Sequence, residues 1–224
     1  KPLLDNQIRC NSAIAEEGLR GDWGANVGRV LLSEFGSDIK NEARAYAAAA
    51  SDARMSGCEL PVVIVTGSGN QGITASVPVI RYAKHIGASD EQLYRALLVS
   101  DLVTIHQKTG IGRLSAYCGA VSAGCGAGAG IAYLLGGDYR AIAHTIVNAV
   151  AILSGTICDG AKPSCAAKIL GYYMYVNDQQ FRGGDGIVAK GVENTIRNVG
   201  LLASQGMKQT DRVILNIMTG DQCL

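Results

Sequence analysis

Cysteine thiols are the side chains of this 224-residue chain with the clearest potential for chemistry. Four of the seven cysteines, Cys118, Cys125, Cys158 and Cys165, lie between residues 105 and 171, and no C-x2-C pair typical of zinc fingers occurs. Cys118 and Cys125 are two helical turns apart, roughly 10 Å along a helix axis, which is too far for a disulfide or a small shared metal site. Cys165 follows Pro163 in the turn CDGAKPSC. This pattern predicts a helix N-terminus, where a thiolate is stabilised.

A glycine-rich loop, TGSGNQG, is the second candidate. Gly67, Gly69 and Gly72 match the G-x-G-x-x-G fingerprint of dinucleotide-binding folds, which needs a preceding strand and an acidic residue about 20 residues later. Asp90 and Glu91 stand at that distance but are typical of a helix cap. A glycine-rich turn at a helix N-terminus also binds carboxylates, through free N–H groups and the helix dipole. A tight structural turn is the third interpretation. The substrate-binding candidates are Ser68, Gly69, Asn70 and Gln71.

Two basic residues in the segment HQKTGIG, just before Cys118, are catalytic candidates. A lysine at position 108 can anchor a substrate carboxylate, or act as a base if desolvation lowers its pKa. A solvated surface lysine is the competing interpretation, because lysine is usually exposed. We expect the catalytic residues to be Lys108 and His106, whereas the other two histidines, His85 and His144, are scattered and read as structural.

Helices must position these groups. Hydrophobic residues make up 48% of the chain and aromatic residues only 5%, so alanine and glycine supply much of the bulk, as in closely packed helices. Seven glycines lie from Gly110 to Gly130, and each costs about 0.5–1 kcal/mol in a helix interior relative to alanine. Close packing or a bound ligand must offset that cost. We therefore expect a central buried helix with a smooth stripe of Gly112, Ala116, Ala120, Gly124, Gly128 and Ala132.

The predicted fold is mainly α, a compact bundle around this Gly/Ala-rich helix. The segment VVIV at 62–65 is compatible with either a short strand or a buried turn, and its periodicity does not distinguish them. The other predicted helices are 6–17 with Gly18 as C-cap, 21–35, 38–57, 73–86, 90–107, 139–157, 164–178, 187–204 and 210–218.

Charge and cysteine content exclude several classes of protein. The net charge is +1, from 20 basic and 19 acidic residues, so there is no electrostatic case for nucleic-acid binding. The uncharged stretch 114–137 is rich in glycine and serine, which disfavours a membrane hairpin. An odd number of cysteines without a disulfide-like rhythm fits a reducing compartment, and we expect a cytoplasmic protein.

The stretches CGAVSAGCGAGAGIAYLLGG and SGTICDGAKPSCAAK resemble the alpha-type catalytic region of iron–sulfur L-serine dehydratases and their relatives, the L-cysteine desulfidases. The resemblance extends over nearly the whole chain. It implies a [4Fe-4S] cluster bound by Cys118 and Cys158, with Cys165 as third ligand in the dehydratase branch. It places the TGSGNQG loop at the active site and aligns Lys108 with a lysine of the family. The desulfidase branch takes its third ligand from an N-terminal Gly-Cys-Thr-Glu-Pro segment, which this chain lacks.

The implied activity is β-elimination of L-cysteine or L-serine without pyridoxal phosphate, giving pyruvate, ammonia and either sulfide or water. We expect residues 1–224 to be one catalytic domain, the C-terminal part of a longer protein. The expected partners are the small amino-acid substrate, an N-terminal half in the same or a separate chain, and a second copy in a homodimer. The alternative is a small-molecule-binding or accessory domain without a cluster, or a dinucleotide-binding protein that uses the glycine-rich loop.

Overall fold

The computed structural model of the chain describes residues 1–112, 118–153 and 189–219. These residues form α-helices and one π-helical turn, with no β-strand among them, so the prediction of a mainly α bundle is confirmed. The helices are α1 (Pro2–Arg20), α2 (Val27–Phe35), α3 (Ile39–Met55), α4 (Gly69–His85), α5 (Asp90–Ile111), α6 (Gly119–Leu134), α7 (Tyr139–Leu153), α8 (Val192–Leu201) and α9 (Thr210–Thr219), and the π turn is Leu202–Gly206.

Helix α6 is the central helix and packs against α4, α5 and α7, as predicted. A Cβ atom built on Gly126 would stand 2.2 Å from Thr104 Oγ1 and 2.5 Å from the backbone oxygen of Ser100. A Cβ atom on Gly130 would stand 2.7 Å from the backbone oxygen of Ala96. Only glycine allows α5 to approach α6 this closely, so helix packing offsets the conformational cost of these glycines.

The contact stripe on α6 differs from the predicted one. Gly112 ends α5 with φ +90°, and Ala116 lies outside the described residues. A Cβ atom on Gly124 would meet no described atom within 4 Å. The stripe was misplaced because nearly every residue of this helix is small, so its sequence carries no contrast between faces.

Gly18 lies inside α1 and is not the C-cap expected from the sequence. The helix continues to Arg20 and is capped by Gly21. A Cβ atom on Gly18 would stand 2.1 Å from the backbone oxygen of Ala49 in α3. This glycine therefore serves a close helix–helix contact rather than a chain reversal.

The segment 61–65 belongs to no helix or strand and is held against the bundle by Asn11 of α1. The backbone N–H of Val63 donates to Asn11 Oδ1 at 2.9 Å, and Asn11 Nδ2 donates to the Val63 oxygen at 3.1 Å and to Ser76 Oγ at 2.8 Å. A Cβ atom on Gly72 would stand 2.2 Å from that same Val63 oxygen. These contacts fix the chain that enters α4.

Helix boundaries elsewhere agree with the predicted ones in part. Helix α2 starts at Val27, six residues after the predicted start at Gly21, and ends at Phe35 as predicted. Helix α4 starts at Gly69 rather than Ile73, and Pro78 lies inside it. Helix α5 begins after the capping box of Ser89 and Gln92, in which each side chain bonds the other residue's backbone N–H. The predicted helix 164–178 lies outside the described residues, as does the end of the one predicted over 139–157.

Apolar clusters on two sides of α6 hold the bundle together. One cluster joins Leu97 of α5, Val79 of α4 and Ile131 of α6. The other joins Val150 of α7 to Ile196 of α8, with further residues of α5 and α6. Within the described part of the chain, no helix is both long enough and apolar enough to cross a membrane.

Candidate functional site

Three helix ends meet at the position where the sequence predicts the active site. They are the start of α4, the last turn of α5 and the start of α6. A Cβ atom built on Gly119 would lie 3.5 Å from Lys108 Nζ and 3.9 Å from Gln71 Nε2. Cys118 is the residue immediately before Gly119 and caps α6. We refer to Gln71, Lys108, Cys118 and Gly119 as the helix-end site.

Gln71 is the residue of the glycine-rich loop that reaches this site. It belongs to the first turn of α4 and is fully buried. Its Oε1 atom accepts a hydrogen bond of 2.9 Å from the backbone N–H of Thr66. Its Nε2 atom is buried and has no hydrogen-bond partner among the described residues. Such a buried donor is uncommon in native proteins and calls for an acceptor.

The other loop residues stabilise the loop itself. Ser68 is exposed and caps α4 by accepting a hydrogen bond of 3.2 Å from the Gln71 backbone N–H. Asn70 Oδ1 accepts a hydrogen bond of 3.1 Å from Arg54 Nη1. The guanidinium of Arg54 covers Gly69, where a Cβ atom would stand 2.3 Å from Arg54 Nε. The side chain of Arg54 therefore lies against Gly69, and the segment 61–65 is not the strand that a dinucleotide-binding fold requires.

Arg54 was missed by the sequence analysis. It lies in the last turn of α3, where a basic residue is commonly explained by the helix dipole. Its side chain instead reaches the N-terminus of α4 and contributes positive charge there. No motif in the sequence links position 54 to the glycine-rich loop, because the contact depends on how α3 packs on α4.

Lys108 is 7% exposed, so the solvated interpretation of this lysine is wrong. Burial lowers the pKa of its ammonium group, and the neighbouring Cys118 opposes that shift. A lysine with a lowered pKa is neutral in a larger fraction of molecules at a given pH. The neutral amine of Lys108 can act as a base, and the ammonium form can hold an anion.

His106 and Lys108 lie on different sides of α5, because residues two apart on a helix do not face the same neighbour. His106 is exposed, and its Nε2 atom lies 2.9 Å from Glu193 Oε2 of α8. These two residues line an open cavity of about 320 Å³ between α5 and α8, together with Arg197. The structure therefore does not bring His106 into the helix-end site.

The two described cysteines of the central segment have different environments. Cys118 is exposed at the N-terminus of α6, without a side-chain cap. Cys125 is buried, and its Sγ donates to the Ile146 oxygen of α7 at 3.6 Å. Burial raises the pKa of the Cys125 thiol to about 12, so this thiol stays protonated and unreactive. Cys158 and Cys165 lie outside the described residues.

Comparison with known proteins identifies the family. Residues 1–216 match the model of the serine dehydratase alpha chain. The chain belongs to the serine dehydratase alpha chain family. A UPF0597 protein of Desulfitobacterium hafniense is 66% identical over 231 aligned positions, covering 100% of this chain and 54% of that protein. UPF0597 proteins of Lachnoclostridium phytofermentans and Fusobacterium nucleatum are 52% and 51% identical, covering 97% and 98% of this chain and 54% of each relative. The chain thus spans about half the length of the curated relatives it matches. No solved structure matches it.

Membership of this family implies an iron–sulfur cluster. Of the three expected cysteine ligands, Cys118 is the one among the described residues. Cys118 is exposed, begins a helix and adjoins a buried lysine, so its sulfur can reach a group outside the helix. The described residues contain no group of three or more His, Cys, Asp or Glu side chains suited to a metal. The position of Cys118 fits a cluster ligand, and the other two ligands expected from the sequence, Cys158 and Cys165, lie outside the described residues.

Proposed function

We propose that this chain forms the catalytic part of an enzyme that carries out a [4Fe-4S]-dependent β-elimination on L-cysteine or L-serine without pyridoxal phosphate. The products are pyruvate, ammonia and either sulfide or water. The observation that carries the proposal is the helix-end site, where the exposed thiol of Cys118 lies beside buried Lys108 and the Gln71 amide nitrogen, which has no partner among the described residues. Membership of the serine dehydratase alpha chain family supports the reaction class.

Cys118, Cys158 and Cys165 are the proposed ligands of the cluster. An iron–sulfur cluster held by three thiolates supplies a Lewis acid for the departing hydroxide or sulfide. We propose that the third ligand is either Cys165 or a cysteine in a remaining part such as the one that the relatives, about twice this length, possess. We propose that this remaining part, or a separate chain equivalent to it, completes the enzyme.

Lys108 is the proposed base. In its neutral form, Nζ accepts the proton from Cα of the substrate, and the electron pair of that bond forms the Cα–Cβ double bond. The bond from Cβ to sulfur or oxygen breaks, and the leaving group takes up a proton. The resulting 2-aminoacrylate takes up water and releases pyruvate and ammonia. Burial of Lys108 assists because it lowers the pKa of the ammonium group and raises the neutral fraction. His106, on the other side of α5, is assigned no step.

Anaerobic purification tests the proposal. The chain is prepared alone and together with its upstream part, reconstituted with iron and sulfide, and assayed for bound iron, acid-labile sulfide and pyruvate formed from L-cysteine or L-serine. We expect the complete form to bind the cluster, to form pyruvate and to lose both properties in air. We expect the isolated chain to fold without colour or activity.

Matched cysteine variants provide the control. Cys118→Ala is expected to abolish the bound cluster and the turnover together, because losing one of three thiolates leaves too few ligands. Cys125→Ala, two helical turns further along α6, is expected to keep the cluster and the turnover, because the buried thiol of Cys125 faces α7. Air-stable, chelator-resistant turnover that survives Cys118→Ala would refute the proposal. A complete form that binds L-serine or L-cysteine but contains no iron would favour the accessory-domain alternative.

A further inference from the structure

The side-chain amide of Gln71 is oriented by its surroundings. A backbone N–H can only donate, so the hydrogen bond from the Thr66 N–H identifies the atom facing Thr66 as Oε1. The other end of the amide must therefore be the NH₂ group. That group is buried and has no acceptor among the described residues. The Gln71 NH₂ group is thus a buried donor that faces the start of α6.

The gap that this donor faces is defined by Gly119. A Cβ atom on Gly119 would lie 3.9 Å from Gln71 Nε2 and 3.5 Å from Lys108 Nζ. Both distances are ordinary van der Waals separations, so a space of at least one methyl group is open at Gly119, next to both nitrogen atoms. The first N–H groups of α6 start at the same point, and the positive end of a helix favours an anion. The Gln71 amide nitrogen, the Lys108 ammonium group and the first N–H groups of α6 are donors or cations, and Cys118 is the group at this site that can carry a negative charge.

We propose that the Gln71 amide binds the carboxylate of the amino-acid substrate in the gap that Gly119 leaves open beside Lys108. This inference rests on the proposed function, because it assigns the substrate carboxylate to the helix-end site. A carboxylate is acceptor-only and has two oxygens, so one oxygen can meet Gln71 Nε2 while the other faces the start of α6. Cα of the substrate is bonded to the carboxylate, so this placement brings Cα close to Lys108 Nζ and Cys118. Of the glycine-rich loop, only the side chain of Gln71 is proposed to contact the substrate, and the other loop residues hold Gln71 in place.

Gly119→Ala is the decisive variant, because it fills the gap without disturbing the fold. Gly119 has no positive φ, and its Cβ atom would meet neighbours only at ordinary distances. The control is Gly124→Ala in the same helix, where the added methyl group would meet no described atom within 4 Å. We expect neither variant to lower the melting temperature below that of the wild type, because neither added methyl group meets a close neighbour. We expect Gly119→Ala alone to raise KM for L-cysteine or L-serine about tenfold to hundredfold, the effect of losing one charge-assisted hydrogen bond.

A second experiment detects the contact between the substrate carboxylate and Gln71 without requiring catalytic turnover. In ¹⁵N NMR spectra of the full chain, L-serine or L-cysteine should shift the side-chain amide signal of Gln71. 2-Aminoethanol, which lacks the carboxylate, should not shift it. The side-chain amide of Gln107, which donates to the Val103 oxygen one turn earlier in α5, is the internal control. Gln71→Glu keeps an oxygen for the Thr66 N–H but places a negative charge in the gap, and it should abolish binding.

The outcomes separate the two proposals. An unshifted Gln71 amide, an equal response to 2-aminoethanol, or a KM unchanged in Gly119→Ala would overturn the carboxylate site, even if the enzyme eliminates L-serine or L-cysteine. A carboxylate-dependent shift of Gln71, lost in Gly119→Ala, supports the site. If that shift occurs and no form of the protein produces pyruvate, the carboxylate site stands and the elimination reaction fails.

Discussion

We expect the carboxyl group of Asp101 to make the stability of the helix bundle depend on pH. Asp101 lies in α5 and accepts a hydrogen bond of 3.1 Å from Gln7 Nε2 of α1. Burial is the main cause that raises the pKa of this carboxyl from 3.8 to about 6, and the hydrogen bond from Gln7 opposes it in part. The folded chain therefore binds a proton at Asp101 more tightly than the unfolded chain does.

The sign and the size of the effect follow from that difference. A folded pKa above the unfolded value adds stability that is fully present below about pH 4 and is lost as pH rises through about 6. A shift of about two pKa units corresponds to about 3 kcal/mol at 1.36 kcal/mol per unit. Asp101→Asn removes the charge, keeps an acceptor for Gln7 Nε2 and adds a donor that can meet Gln7 Oε1, which is buried without a partner in the described structure. We expect the variant to be more stable than the wild type by up to about 3 kcal/mol near pH 8 and nearly equal to it near pH 4.

Urea unfolding of both proteins at a series of pH values measures this difference directly. The contributions of all other carboxyl groups cancel in the comparison between variant and wild type. If the two stability curves run parallel from about pH 4 to about pH 8, the Asp101 carboxyl is not the cause of any pH dependence and the argument from its burial is wrong.

Two further predictions concern Lys108 and the glycines of α6. Lys108→Met should lower kcat about 10²–10⁴-fold and remove the acidic limb of the pH–rate profile, because the neutral amine is the base; a variant that raises KM and keeps that limb would make Lys108 an anchor instead. Gly126→Ala should destabilise the fold by about 1–3 kcal/mol, because its Cβ atom would stand 2.2 Å from Thr104 Oγ1. Gly124→Ala should instead stabilise the fold by about 0.5–1 kcal/mol in the same urea titration, and equal effects at both glycines would contradict the packing argument.

The fold class was predictable from the sequence because composition and periodicity both favour helices. The helix-cap pattern at Asp90 and Glu91 predicted the start of α5, and the density of small residues predicted α6 as the buried helix. The face that α6 presents to α5 was not predictable. Contact there depends on Gly126 and Gly130, which lie in the run GAGAG of alternating glycine and alanine, so the sequence does not distinguish the contacting face from the others.

The candidate site was predictable in part, and the misses have identifiable causes. The structure places Lys108 and Gln71 next to the residue that follows Cys118, but the assignment of roles to them remains a proposal. His106 was paired with Lys108 because the two are close in sequence, although a spacing of two residues separates them on a helix. Arg54 depends on the packing of α3 on α4, and no local pattern encodes such a contact.

The hydrogen bonds of Asn11 have a consequence for any attempt to divide this chain into fragments. Asn11 holds Val63, the chain then leads to Thr66, and the Thr66 N–H orients the side chain of Gln71. Helix α1 thus supports the proposed binding site through these hydrogen bonds, although none of the residues proposed to bind the substrate belongs to it. A cut between α3 and α4 would release Gln71 from its support. A cut at Gly87, an exposed turn with φ +66°, would leave that support whole, and recovery of ligand binding on mixing the two fragments would then report the docking of α4 onto α5.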